Sequence, residues 1–341
     1  MNIAEAIAQI IERRALTRDE MYEVITAIMT GQCTEAQIGG FLVGMRMKGD
    51  TVDEITGATL AMRALATPVH VEAAHLVDTC GTGGSGKKPF NVSTAAAFVA
   101  AAAGAHVAKH GNRAMSSRSG SADLLEAAGV NIDLDPEQVA RCITEVGIGF
   151  MFAPSHHAAM RHAAGPRREL GVRTLFNLVA PMTNPAGAKR QLLGAYDRAV
   201  QRTMAEVLKE LGSEHVLVVH SAEGLDEMSI AGRTHVVELK GGRIEEYDVR
   251  PQEFGLEAHP LEGLIATSCE ESLAKVLEAL TDVQSAAGAM VALNAGAAIY
   301  ASDVCATLGQ GVHMAQDAIA SGLAKERLDE LVRISSLMGE A

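Results

Sequence analysis

The hydrophobic pattern of the chain changes near Pro68, and that change limits the possible folds more than any other feature. Residues 1–66 carry three capping signatures, Thr17/Glu20, Thr34/Gln37 and Thr51/Glu54. In each, the hydroxyl can accept from an early helix amide while the Glu or Gln reaches back to the cap. Apolar residues follow at helical spacing, as in Ile38, Phe41, Leu42 and Met45. The spacing predicts four short helices and no strand. Beyond Pro68, short apolar runs alternate with helical stretches. "HLVDTC" (75–80), "HVAKH" (106–110), "GFMFA" (149–153), "QLLGAY" (191–196), "HVLVVH" (215–220) and "THVVEL" (234–239) read as strands. "STAAAFVAAAAG", "SADLLEAAG", "EQVARCITEVG" and "DRAVQRTMAEVLKELG" read as helices, and from Glu270 onward the pattern is mainly helical. Such alternation predicts a mostly parallel sheet covered on both faces. The expected fold is therefore α/β: a small all-helical N-terminal domain, 1–66, and a larger α/β domain, 70–341, with a central mostly parallel sheet flanked by helices.

Composition narrows the function. The 341 residues are 48% hydrophobic, 3% aromatic and without Trp, so the core must be built from Ala, Val, Leu, Ile and Met. A formal charge of −13 repels phosphate backbones at long range, and stacking platforms for single strands are missing. Five cysteines at 33, 80, 142, 269 and 305 form no C-x-x-C pair. They predict reduced, buried thiols with neither a disulfide framework nor a zinc site. "MNIAEAIAQIIERR" reads as an amphipathic helix, not a signal peptide, and the apolar run 95–103 is too short to span a bilayer. A soluble, cytoplasmic protein is expected.

The stretch "DTCGTGGSGKKPFNVST" (78–94) approaches the phosphate-loop pattern G-x-x-x-x-G-K-[ST] through Gly81, Gly86 and Lys87. It then fails: Lys88 stands where a metal-binding hydroxyl is needed, and Pro89 follows. The next helix is expected near Ser93, several residues too late. The glycines still let backbone amides approach an anion, and Ser93 and Thr94 stand where a helix start binds phosphate oxygens. A second polar cluster, "AKHGNRAMSSRSGSADLL" (108–125), crowds Lys109, His110, Asn112, Arg113, Ser116, Ser117, Arg118, Ser119 and Ser121 into one loop after a strand. Two such loops at successive strand ends would face one crevice. Asp226 and Glu227, after a third strand, could hold Mg²⁺ against a polyphosphate. Residues 154–190, dense in His, Arg and Pro, do not read as a β–α unit and suit a domain junction, where pockets form.

In combination, "GTGG" (81–84), "FNVST" (90–94), "KHGNRAMSSRSGSADLLEAAG" (109–129), "GPRRELGVRTLFNL" (165–178), "TNPAG" (183–187) and "GLDE" (224–227) resemble the anthranilate phosphoribosyltransferases, with a match over essentially the whole chain. The resemblance implies a nucleoside phosphorylase/phosphoribosyltransferase-like fold. It further implies that the helical domain takes back a segment near 167–185 and that the protein is a homodimer through that domain. It implies transfer of phosphoribose from 5-phosphoribosyl 1-pyrophosphate (PRPP) to the anthranilate amine in tryptophan biosynthesis, with two Mg²⁺ per site. By the same resemblance, PRPP contacts fall on Gly81, Thr82, Gly84, Ser85, Asn91, Val92, Ser93, Thr94, Lys109, His110, Gly111, Asn112, Arg113, Ala114, Met115, Ser116, Ser117 and Ser121. Anthranilate contacts fall on Gly81, His110, Asn112, His157 and Arg167, and metal ligands on Ser93, Asp226 and Glu227. No residue stands out as a strong base. Lys109 and Arg167 are the best candidates for a catalytic contribution, by charge and positioning.

Three residues depart from the family pattern: Ser85 for the usual Asp, Pro89 for Ser or Thr, and Ala180 for Gly. They predict PRPP affinity and Mg²⁺ dependence unlike the family norm, and superimposable Mg²⁺ titrations of the protein and Ser85→Asp would refute this. Two other readings remain at this stage: a pyrimidine nucleoside phosphorylase-like enzyme, and a non-enzymatic relative that binds nucleic acid.

Overall fold

A computed structural model describes residues 1–83, 89–114 and 119–339. The N-terminal part is four helices, α1 (Ile3–Ile11), α2 (Arg18–Met29), α3 (Glu35–Lys48) and α4 (Val52–Ala64). All three capping boxes form: the Thr17, Thr34 and Thr51 hydroxyls each accept from the amide three residues on, and Glu20, Gln37 and Glu54 return the bond. A fourth, Asn2 with Glu5, starts α1 and went unread in the sequence. Glu54 does more than cap. It is fully buried, takes the Leu16 amide at 2.9 Å, and pairs with Lys48 at 2.7 Å, which ties α4 to the turns before it and before α2.

After Pro68 come β1 (Leu76–Gly81), α5 (Val92–Ala102), β2 (His106–Gly111), α6 (Ser121–Ala127), α7 (Pro136–Val146) and β3 (Ile148–Phe152). Three short helices follow, α8 (Ala153–His156), α9 (Arg161–Leu170) and α10 (Leu175–Val179), then β4 (Arg190–Gly194), α11 (Arg198–Glu210) and β5 (His215–Ser221). β6 (Thr234–Lys240) and β7 (Arg243–Val249) precede the C-terminal α12 (Cys269–Thr281), α13 (Ala286–Ala301), α14 (Leu308–Ala320) and α15 (Leu323–Gly339). The seven strands form one sheet in the order β3-β2-β1-β4-β5-β6-β7. The first five run parallel, β6 runs against them, and β7 pairs antiparallel with β6. β7 was missed in the sequence because its side chains are mostly exposed or half-buried at the sheet edge, so no apolar run marks it.

The period of two along the strands divides the core. Leu192, Leu217 and Val219 face one apolar cluster with α5, α7 and α12–α15. Leu193, Val216 and Val218 face the other, which holds α1–α4 and α11. Leu175, Phe176, Leu178 and Val179 of α10 join this second cluster. Small residues allow the tightest crossing: a Cβ on Gly311 of α14 would collide with the Gly296 carbonyl of α13. Burial corrects one expectation. Only Cys142 is buried; Cys33, Cys80, Cys269 and Cys305 are half-buried, and all five are free thiols. Among the described residues no single helix is long and apolar enough to cross a membrane.

Candidate active site

The chain leaves β1 toward β2 on one side and leaves β4 toward β5 on the other, so the order reverses between β1 and β4. Open α/β sheets bind ligands at such a point, beyond the strand C-termini. Gly81 and Gly194 end these two strands as paired neighbours. A Cβ on Gly194 would collide with the Asp226 carbonyl oxygen, and one on Gly81 would come within 3.0 Å of the Asp226 carboxylate. Glycine at both positions thus lets the loop after β5 lay Asp226 directly over the switch point.

Two clefts open there and share a wall. The first, about 620 Å³, is polar. It brings together Gly81, Thr82, Asn91, Ser93, Thr94, Lys109, His110, Gly111, Asn112, Arg113, Ala114, Ser121, Arg167, Asp226 and Glu227. The second, about 550 Å³, is more apolar and is lined by Gly81, His110, Asn112, His157 and Arg167 with Met62, Met160, Phe176, Ala180 and Pro181. Helices α8–α10, the segment that fitted no β–α unit, build much of its wall. Val92 lies apart, with its side chain fully buried in the core. Gly84, Ser85, Met115, Ser116 and Ser117 lie outside the described residues. Lys109 and His110 are on β2 itself, not in the loop that follows it. Sequence reading passed over Arg168, Val172, Arg173 and Asn177, which also line the polar cleft; the motif at 165–178 already contained them.

The floor of the polar cleft is an electrostatic cluster. Lys109 is buried, and its ammonium donates to the Thr79 carbonyl at 2.6 Å and to Ser93 Oγ at 3.4 Å. Burial pulls its pKa down, and the charges of Asp78, Cys80 and Glu227 oppose that shift. Asp78, fully buried behind it, accepts from the His110 amide at 3.3 Å and from Gln191 at 3.3 Å. Glu227 is pushed up to about 8, first by burial and then by the adjacent Asp226; Lys109 and the Ser93 amide, which donates to it, act the other way. Two carboxylates crowded beside a hydroxyl form a hard oxygen donor set that a divalent cation would relieve.

Orphaned buried groups surround the two clefts. The rings of His110 and His157 lie 5.0 Å apart, and although both are buried neither Nε2 has a partner among the described residues. Burial drives the His110 pKa well below its usual value and brings His157 down to about 4. Thr94 Oγ1, in the polar cleft, is likewise buried and without a partner among the described residues. Arg167 stands 5.3 Å from the centre of the Phe176 ring, has no ion pair among the described residues, and has its pKa lowered by burial. Arg113, in contrast, is already paired with Glu126 and Asp123 and lies over Phe152.

Residues 4–66 match the helical bundle domain, and 73–325 the a/b domain, of the glycosyl transferase family. The anthranilate phosphoribosyltransferase of Ectopseudomonas mendocina is 58% identical over 99% of this chain and 98% of its own length. The chain belongs to the anthranilate phosphoribosyltransferase family. That of Hahella chejuensis is 57% identical over 100% of this chain and 99% of its own. The crystal structure of the Thermus thermophilus anthranilate phosphoribosyltransferase superposes with a TM-score of 0.92 at 44% identity, covering 97% of this chain and 99% of the other. The Saccharomyces cerevisiae enzyme, solved in complex with PRPP and Mg, shares the fold at a TM-score of 0.89 and 24% identity, covering 98% of each chain. The chain is therefore one of a family of pentosyl transferases, and the phosphorylase and nucleic-acid readings lose their basis.

Proposed function

We propose that the chain transfers phosphoribose from PRPP to the amine of anthranilate, giving N-(5-phosphoribosyl)-anthranilate and pyrophosphate on the route to tryptophan. The observation that carries this reading is the shared wall of the two clefts. A polar cleft with a hard oxygen donor set adjoins an apolar one that holds an uncompensated guanidinium. PRPP fits the first, and a flat aromatic acid the second. In this reading the lobe of residues 1–66, completed by 167–185, closes over the 70–341 domain, and the protein works as a homodimer through that lobe.

Ser93, Asp226 and Glu227 would hold Mg²⁺, with two ions per site. Bound there, Mg²⁺ neutralises charge on the departing pyrophosphate. Lys109 adds a buried positive charge at the same place, and the glycine turn at Gly81 and Thr82 brings backbone amides near. Asn91, Thr94 and Ser121 supply hydrogen-bonding groups for the phosphoribose. Arg167 pairs with the anthranilate carboxylate, and Asn112, His110 and His157 frame the ring. The arylamine is nucleophilic without deprotonation, so alignment of the two substrates supplies most of the rate.

The test is the decay of anthranilate fluorescence with PRPP and Mg²⁺. Arg167→Ala should raise the KM for anthranilate about 10–100-fold, the worth of a charge-assisted bond, and leave the KM for PRPP nearly unchanged. An absence of decay with every component present, or an unchanged anthranilate KM in the variant, would refute the reading.

A further inference from the structure

Asn91 occupies the N-cap position of α5, where an Asn side chain ordinarily turns inward to bond the first amides of the helix. It does not do so here. Its side-chain oxygen is held elsewhere: Ser272 Oγ donates to Oδ1 at 2.6 Å and Ser119 Oγ donates to it at 3.0 Å. The Asn91 backbone amide in turn donates to Ser272 Oγ at 3.0 Å. Ser272 lies on α12, is 1% exposed, and lines neither cleft.

The polarity of this ring follows from the inventory of donors. A backbone N–H can only donate, so Ser272 Oγ accepts from residue 91. The Ser119 carbonyl can only accept, so the amide atom that faces it at 3.4 Å is Nδ2, and Oδ1 is left to receive the Ser272 and Ser119 hydroxyl protons. The orientation of the Asn91 amide is thereby fixed, with Oδ1 toward α12 and Nδ2 on the opposite side. Asn91 lines the polar cleft, and among the described residues its Nδ2 keeps only a long 3.4 Å bond to the Ser119 carbonyl. The ring does two things at once. It presents an N–H donor, not a carbonyl oxygen, to an anionic ligand, and it keeps the side chain from capping α5, whose first residues Ser93 and Thr94 also line the cleft.

We infer that Ser272 is a positioning residue for donor-substrate binding, acting through Asn91 from a helix that never touches the substrate. The inference rests on the assignment of PRPP to the polar cleft. Loss of the Ser272 hydroxyl leaves the amide free to turn its oxygen toward the phosphates and to collapse onto the helix start, a loss of about one well-placed hydrogen bond.

The experiment is a double-mutant cycle on the full chain with Ser272→Ala, Asn91→Ala and the pair, read as the KM for each substrate, kcat and the melting temperature. Ser272→Cys, close in volume but a weak donor, is made alongside in case the alanine variant does not fold. Ser272→Ala should raise the KM for PRPP about tenfold, with the KM for anthranilate and kcat within about twofold. In the Asn91→Ala background the same change should add less than about twofold. An equal rise in both backgrounds would make Ser272 a general packing residue and overturn the inference. So would an unchanged PRPP KM in Ser272→Ala or Ser272→Cys while Asn91→Ala is impaired. If the unmodified protein consumes no PRPP, the transferase reading itself falls and this inference with it.

Discussion

Buried histidines sit at both ends of the parallel sheet, and they are treated in opposite ways. His215, the first residue of β5, has both ring nitrogens engaged: Nδ1 with Asp303 at 3.0 Å and Nε2 with Glu238 at 2.9 Å. Glu238 also accepts from Tyr247 at 2.7 Å and from Tyr300 at 2.8 Å, and Arg190 holds Asp303 at 2.9 Å. At the other end His110 and His157 each keep a buried nitrogen without a partner among the described residues. A buried polar atom left unmade costs about 1–3 kcal/mol, so a fold tolerates such atoms where a ligand completes them. The closed network stabilises the fold, and under the proposed function the open one is where the aromatic substrate binds.

The sharpest separation of the two ends is by substitution. Asp226→Ala, at the open end, should lower kcat/KM about 10³-fold by removing charge stabilisation, with little change in melting temperature. Glu238→Ala, at the closed end, should do the reverse. It leaves His215 buried with one charged partner fewer and two tyrosine hydroxyls unpaired, which costs about 3 kcal/mol in urea denaturation, with both KM values unchanged. A large fall in activity for Glu238→Ala would erase the distinction.

Acid offers a milder probe. Unfolded His157 binds its proton near pH 6.5, but the folded ring binds it only near 4. Between those values unfolding takes up a proton, so stability falls as pH drops through that window. His157→Gln should flatten the pH dependence by about 2 kcal/mol at pH 5, and His110, shifted the same way, accounts for part of the remaining slope. Smallest is Thr34→Ala, far from both ends. It removes the cap hydroxyl of α3 and should cost about 1 kcal/mol in the same denaturation experiment without altering either KM.

Much of this was legible in the residues because local chemistry dictated it. The Thr-x-x-Glu/Gln boxes fixed three helix starts, and strands such as Val216–Val219 showed as apolar runs because alternate residues feed two cores. β7 stayed hidden because an edge strand with exposed Arg243, Glu245 and Glu246 carries no burial signal. The polar cleft was readable wherever its groups follow a strand in sequence, as with Asn91, Asn112 and Asp226. Ser272 was not readable, because it reaches Asn91 across 181 residues of chain. The close approach of Gly194 to Asp226 was equally silent, since a glycine that makes room for a backbone resembles any turn glycine.

The burial of α10 among α1–α4 also has a consequence for synthesis. The four N-terminal helices leave the ribosome about a hundred residues before Phe176 does, which at ~5–20 residues per second is a delay of roughly 5–20 s. Throughout that interval the nascent helices lack the apolar side chains that complete their core. Their greasy faces must wait, sheltered by each other or by a chaperone, until the chain returns to them.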